Sequence, residues 1–178
     1  MDLSTVGFET DRLIVRACST TDAQELSALM DPQISQWVAA WPYPLSIKKA
    51  KWIISSHLDR AIKGRTFAAV ILEGITGRIV GWLKIELVDE DDRIFELGYW
   101  IGLEQQRKGY ALEVSKGAIS FTFVKLGAVQ VIAGAQVGND ASLRLLAKLG
   151  MRKSHCEDVW APARQRFERC EFWYANSA

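Results

Sequence analysis

The apolar positions of this chain change period along its length, and the changes mark out its elements. A short apolar run at 13–16 reads as a strand. The spacing then turns helical. Thr21 predicts a helix cap, Gln24 follows in capping-box position, and Asp31 with Pro32 predicts the stop. The aromatic segment 37–43 contains Pro42, is followed by Pro44, and reads as a loop. Ser46 opens a second helix whose Ile47, Ala50, Ile54, Leu58 and Ala61 share a stripe and which Gly64 ends. Segments 67–72 and 78–87 flank a turn and predict a hairpin. The acidic stretch 89–92 makes the next turn, and 93–101 forms a third strand. After Gly109 the pattern is helical to about 126, with Ala111, Val114, Ala118 and Phe121 aligned and Gly127 as terminator. A strand at 129–136 follows, then a helix opened by Asn139, carrying Leu143, Leu146 and Leu149 and closed by Gly150. Two strands, near 151–155 and 166–174, complete the chain.

The order β-α-α-β-β-β-α-β-α-β-β implies a mixed sheet with helices on its faces, an α+β, three-layer (α/β) domain. Strands 93–101 and 129–136, joined through a helix, are expected to run parallel with a right-handed crossover. At 178 residues and 20.0 kDa the chain suits one domain, spanning 1–178. Its 49% hydrophobic content excludes disorder as the dominant state. With 22 cations against 21 anions, no global field recruits nucleic acid or an anionic membrane, so neither is expected as a partner. Any bound anion must be held by local groups. No apolar run approaches the roughly 18 residues of a membrane span, and the N-terminus lacks a signal-peptide pattern. Cys18, Cys156 and Cys170 read as free thiols of a reducing, cytoplasmic setting, with a Cys156–Cys170 disulfide as the alternative. Besides these only His57 and His155 could serve as soft ligands, so no metal is expected.

One segment carries distinct chemistry. Gln106, Arg107, Lys108, Gly109, Tyr110 and Ala111 form a turn with two cations that opens a helix. A helix N-terminus offers unpaired N–H groups and a positive dipole end, which suits an anion such as phosphate. Glycine lets the backbone approach it closely. The spacing fits neither a dinucleotide fingerprint nor a P-loop. A plain loop-to-helix turn is the alternative.

Gln106 to Ala111 resembles the Q/R-x-x-G-x-G/A signature of the GNAT superfamily of acetyl-CoA-dependent N-acetyltransferases. The E-T-D-R-L run from Glu9 to Leu13, E-L-G-Y-W from Glu96 to Trp100, and N-D-A-S-x-R-L-L-x-K-L-G-M from Asn139 to Met151 resemble its RimJ/RimL-like, ribosomal-protein N-terminal branch. The likeness runs from about 8 to 175. It implies a mostly antiparallel sheet with a V-shaped splay, acetyl-CoA as cosubstrate, and amides around 107–111 clasping the pyrophosphate. It also implies that Tyr99, Trp100 and Ile101 lie along the pantetheine arm.

On the alternating strand Glu96 shares a face with Ile94, Gly98 and Trp100, while Phe95, Leu97, Tyr99 and Ile101 take the other. Glu96 is the first candidate for a general base and Glu168 the second; a salt-bridged strand glutamate is the alternative for the former. By resemblance Asn139 hydrogen-bonds the pantetheine arm, and Ser142 could protonate the departing thiolate. Simple capping and a first-turn polar residue are the competing readings. Arg107 and Lys108 face phosphate or solvent, and Arg144 with Lys148 is a weaker phosphate pair. Trp37, Trp41 and Tyr43 lie where the family places part of its acceptor pocket.

The expected activity is acetyl transfer to a primary amine by direct attack in a ternary complex, the acceptor being a protein N-terminus. A small amine (polyamine, amino acid analogue or antibiotic) is the alternative acceptor. A non-catalytic acyl-CoA sensor is the alternative from another class. Monomer and homodimer both fit.

Overall fold

The structure, a computed structural model, describes residues 1–177. Eight strands form one sheet in the order β1-β2-β3-β4-β5-β6-β8-β7. These are β1 (Gly7–Glu9), β2 (Leu13–Ala17), β3 (Thr66–Glu73), β4 (Ile79–Asp89), β5 (Ile94–Ile101), β6 (Gln130–Gln136), β7 (Arg152–Ala161) and β8 (Arg166–Asn176). The helices are α1 (Ala23–Leu29), α2 (Pro32–Ser35), α3 (Ile47–Ile62), α4 (Tyr110–Leu126) and α5 (Asp140–Lys148). Among the described residues β5 and β6 make the one parallel pair, as the βαβ pattern predicts.

Helices cover both faces, so β3 is buried at six successive positions, Thr66 through Ile71, instead of alternating. On one face Phe67, Ala69, Ile71, Leu83, Ile85, Phe95 and Leu97 pack against Val114, Ala118 and Phe121 of α4 and Leu146 of α5. On the other, Val70, Trp82 and Trp100 pack against Leu26 of α1 and Ala50, Ile53 and Ile54 of α3. Trp41 joins this second core edge-on to Trp82 and Trp100, at centroid distances of 5.1 and 5.4 Å.

Several expected boundaries move, each for a local reason. The first cap is Ser19: its hydroxyl accepts from the Thr21 amide, and Asp22 closes the capping box by accepting from the Ser19 amide at 2.8 Å. Asp22 also binds Arg16, which holds this turn to β2. Asp31 does not only end a helix. Its carboxylate caps a new short one, α2, with Pro32 in the first turn where a missing N–H costs nothing. β1 was not expected from the sequence, and β7 extends well past 155 because its whole length pairs with β8. Cys156 sits opposite Glu171 and Cys170 opposite Glu157, which puts the two thiols on opposite faces of the hairpin; the three cysteines are free.

Candidate active site

The sheet opens at the parallel β5–β6 junction. β5 and β6 pair only at Ile94–Gln130, Phe95–Val131 and Glu96–Ile132, after which β6 stays with β8 and β5 with β4. Backbone direction alternates along a strand. The Gly102 amide donates to Val80 of β4, so Tyr99 and Ile101 direct their amides into the gap. The Val137 amide donates to Arg169 of β8, so Gly134 and the Gln136 amide face the gap from the other side. A wedge lined by free peptide groups needs an occupant that is itself rich in amide donors and acceptors.

Beyond the open end of β5 comes the cationic turn. Arg107 and Gly109 both take left-handed conformations, φ 62° and 83°. The amides of Arg107, Lys108, Gly109, Tyr110, Ala111 and Leu112 find no acceptor among the described residues, and the first helical bond runs from Glu113 N to Gly109 O at 3.1 Å. Six donors at one helix start form an anion cradle. The side chains divide differently from the sequence expectation. Gln106 Nε2 donates to Ile101 O at 3.0 Å, tying the turn to the strand. Tyr110 is buried and donates to Glu73 Oε1 at 2.6 Å. Lys108 Nζ donates to Gln105 Oε1 at 2.6 Å, and Arg107 is exposed. The backbone therefore supplies most of the cradle. Arg144 and Lys148 are exposed on α5.

Glu96 stands at the last paired position, the apex of the wedge, directly across from Glu86 on β4. Its carboxyl is held above the ordinary glutamate range by burial; Lys84 opposes this, while Glu86 and Glu157 add to it. Glu86 is itself tied to Lys84 and, at 2.7 Å, to Arg60 of α3, leaving Glu96 as the carboxyl without a direct cation partner in this group. His57 of α3 borders the same face, its pKa lowered by burial and then by Lys84. Next along β5, Gly98 is followed by open space where a Cβ would project. Trp100, expected along the coenzyme arm, turns its backbone towards Trp82 of β4, away from the gap, and its indole packs in the second core.

The other face of the wedge carries hydroxyls. Burial raises the Tyr99 phenol above its usual value, and the Ser142 hydroxyl stands close enough to offset part of that shift. Asn139 caps α5, its Oδ1 accepting from Ser142 N at 3.3 Å. Glu96 and the Tyr99–Ser142 pair thus lie on opposite faces of the sheet and meet only through the gap. The sequence pointed to Ser142 but treated Tyr99 only as strand backbone.

Glu168, the second candidate base, is already engaged. Arg164 grips it through Nε at 2.7 Å and Nη2 at 2.5 Å, Arg166 adds a bond at 2.9 Å, and Gln136 donates as well. The Arg164 bond leads the causes that hold its pKa below the usual value. A carboxylate so stabilised is a poor proton acceptor. Of the three aromatics, Trp41 is core, whereas Trp37 and Tyr43 are exposed.

Comparison with known proteins agrees with this geometry. A family model described as Acetyltransferase (GNAT) domain matches residues 12–152. A Bacillus subtilis (strain 168) protein named uncharacterized N-acetyltransferase YoaA is 30% identical over 147 residues, 82% of each chain. A Vibrio cholerae structure, named for ribosomal-protein-serine acetylation, superposes with TM-score 0.84 at 23% identity, covering 98% of this chain and 99% of its own. Mycobacterium smegmatis RimJ in complex with CoA-disulfide superposes with TM-score 0.82 at 18% identity, covering 93% and 82%. With a matched domain that spans the wedge, the cradle and Glu96, the chain belongs to the GNAT acetyltransferase family and is an N-acetyltransferase.

Proposed function

We propose that the protein transfers acetyl from acetyl-CoA to the α-amine of a polypeptide N-terminus, by direct attack within a ternary complex. The observation that carries this reading is the desolvated Glu96 carboxyl at the apex of the wedge. An attacking amine must be neutral. An α-amine near pKa 7.7–8.0 is about a tenth neutral at pH 7, a cost of ~1.4 kcal/mol, whereas a lysine amine near 10.4 costs roughly 4.6 kcal/mol. One weak carboxylate base suits the first and serves the second poorly. Burial raises its pKa and so strengthens that base.

The cosubstrate supplies the activated acyl group as a thioester. In this reading the amides of 107–112, which have no acceptor among the described residues, hold its pyrophosphate, and the backbone of Tyr99, Ile101, Gly134 and Gln136 bonds its pantetheine arm. Glu96, directly or through water, takes the proton that the ammonium releases. As the amine nitrogen bonds to the carbonyl carbon and the carbon–sulfur bond breaks, the Tyr99–Ser142 hydroxyls face the departing sulfur. A thiol near pKa 8.5 needs only a hydrogen bond there, not a strong acid. A wedge amide can polarise the carbonyl oxygen, the kind of donor that lowers an acyl-transfer barrier by a few kcal/mol. The RimJ and ribosomal-protein-serine names among the structural neighbours support a protein acceptor.

The test is thiol release from acetyl-CoA with three acceptors: a peptide with a free N-terminus, the same peptide formylated there but retaining a lysine, and spermidine. Turnover with the free N-terminus alone is the expected result. Equal or better turnover with spermidine would move the assignment to small amines.

A further inference from the structure

We infer that Arg12, together with Glu113, is a positioning residue that holds the coenzyme cradle in its binding conformation; this rests on the cradle being the pyrophosphate site. Arg12 lies in the β1–β2 connection, far along the chain from the turn, yet reaches it directly. Its Nη1 donates to Lys108 O at 3.0 Å. Lys108 sits between the two left-handed residues, Arg107 and Gly109. With its carbonyl drawn towards Arg12, the amides on either side are left to converge on the open side of the turn. A non-glycine residue such as Arg107 keeps a positive φ only where its surroundings over-determine it. Here Arg12 supplies that constraint.

Arg12 is itself held at several points. Its Nε and Nη2 engage Glu113 Oε2 at 2.7 and 2.6 Å, and its own amide donates to Glu113 Oε1 at 2.8 Å. Thr10 Oγ1 donates to that same Oε1 at 2.6 Å. The guanidinium stacks over Tyr110, 4.8 Å from the ring centre, and Tyr110 in turn bonds Glu73. The Arg12 carbonyl accepts from Gly74 N at 2.8 Å, which fastens the connection to the β3–β4 turn. A Cβ on Gly109 would stand 3.3 Å from Arg12 Nη2, so the turn and the guanidinium are packed against each other. The guanidinium's planar fork serves the carbonyl and the carboxylate together, which a lysine ammonium cannot reproduce.

The experiment compares acetyl-CoA with S-acetylpantetheine, the same thioester without the pyrophosphate, using one peptide acceptor. Wild type should prefer acetyl-CoA in kcat/KM. Arg12→Lys should reduce that preference about tenfold or more, through KM for acetyl-CoA, as expected for losing a charge-assisted hydrogen bond that shapes the cradle. Glu113→Gln, a milder change, should shift it in the same direction. A merely structural role would lower both donors alike, so an unchanged preference in soluble variants overturns the positioning role. No preference in wild type would instead overturn the pyrophosphate assignment on which it rests.

Discussion

Glu96 is distinguished at the residue scale by what it lacks: Glu86, beside it, has Lys84 and Arg60, and Glu168 has two arginines. A half-buried carboxyl with a raised pKa works as a base once pH has risen through that value. Glu96→Gln should therefore cost about 10- to 100-fold in turnover near pH 7, and the deficit should shrink towards pH 9 as the amine deprotonates unaided. A pH-independent deficit would make Glu96 a substrate-positioning group. Ser142→Ala should lower kcat about tenfold, the worth of one transition-state hydrogen bond, with acetyl-CoA affinity nearly unchanged. The face of Glu96 was legible from strand alternation alone. The neutralisation of Glu168 was not, because Arg164 reaches it from the hairpin turn, and nothing in the local sequence says which way that turn folds.

In the proposed mechanism β5 serves the acceptor and the turn after it serves the acetyl donor. Gly109 has φ 83°, a conformation costly for any side chain, and its amide belongs to the cradle. Gly109→Trp should abolish acetyl-CoA binding; retained affinity in calorimetry would remove the cradle from the account. Gly98 tests the other side. A side chain there enters open space on the Glu96 face, so Gly98→Leu should raise acceptor KM about tenfold or more while acetyl-CoA affinity holds. Steady-state kinetics with each substrate varied in turn separates the two effects. Helical spacing and glycine stops located α3, α4 and α5 closely. The first cap was misplaced because Ser19, Thr20 and Thr21 are all good caps, and the choice fell to Asp22, which Arg16 of β2 fixes in place. The three-residue β1 carries too short a pattern to be read without its partner.

The β7–β8 hairpin is tied to the distant α2 region by a contact that the sequence did not suggest. Arg164 Nη1 donates to Val38 O at 3.1 Å and to Ser35 O, while Ala163 N donates to Ala39 O at 2.9 Å. The β7–β8 turn is thereby fastened to the segment after α2, with Glu168 orienting the arginine. The folded pKa of Glu168 lies below its unfolded value, so its contribution is complete above the unfolded value near 4.5 and is lost as pH falls through the depressed one. Glu168→Gln should lower the melting temperature at pH 7 by on the order of a few degrees, and the gap from wild type should close in acid. Long-range pairings of this kind, like Arg12 with Lys108, depend on the fold having brought distant segments together. The β5–α4–β6 unit is more local, and its outline was correspondingly plain.

The roles proposed for Glu96, Ser142 and Arg12 all rest on acetyl-CoA binding through the wedge and cradle. Calorimetric titration with acetyl-CoA, with NAD as the comparison ligand, tests it most directly. Saturable one-to-one binding of acetyl-CoA, its loss in Gly109→Trp, and no response to NAD are the expected results. Absence of acetyl-CoA binding, or binding unaffected by Gly109→Trp, would contradict it.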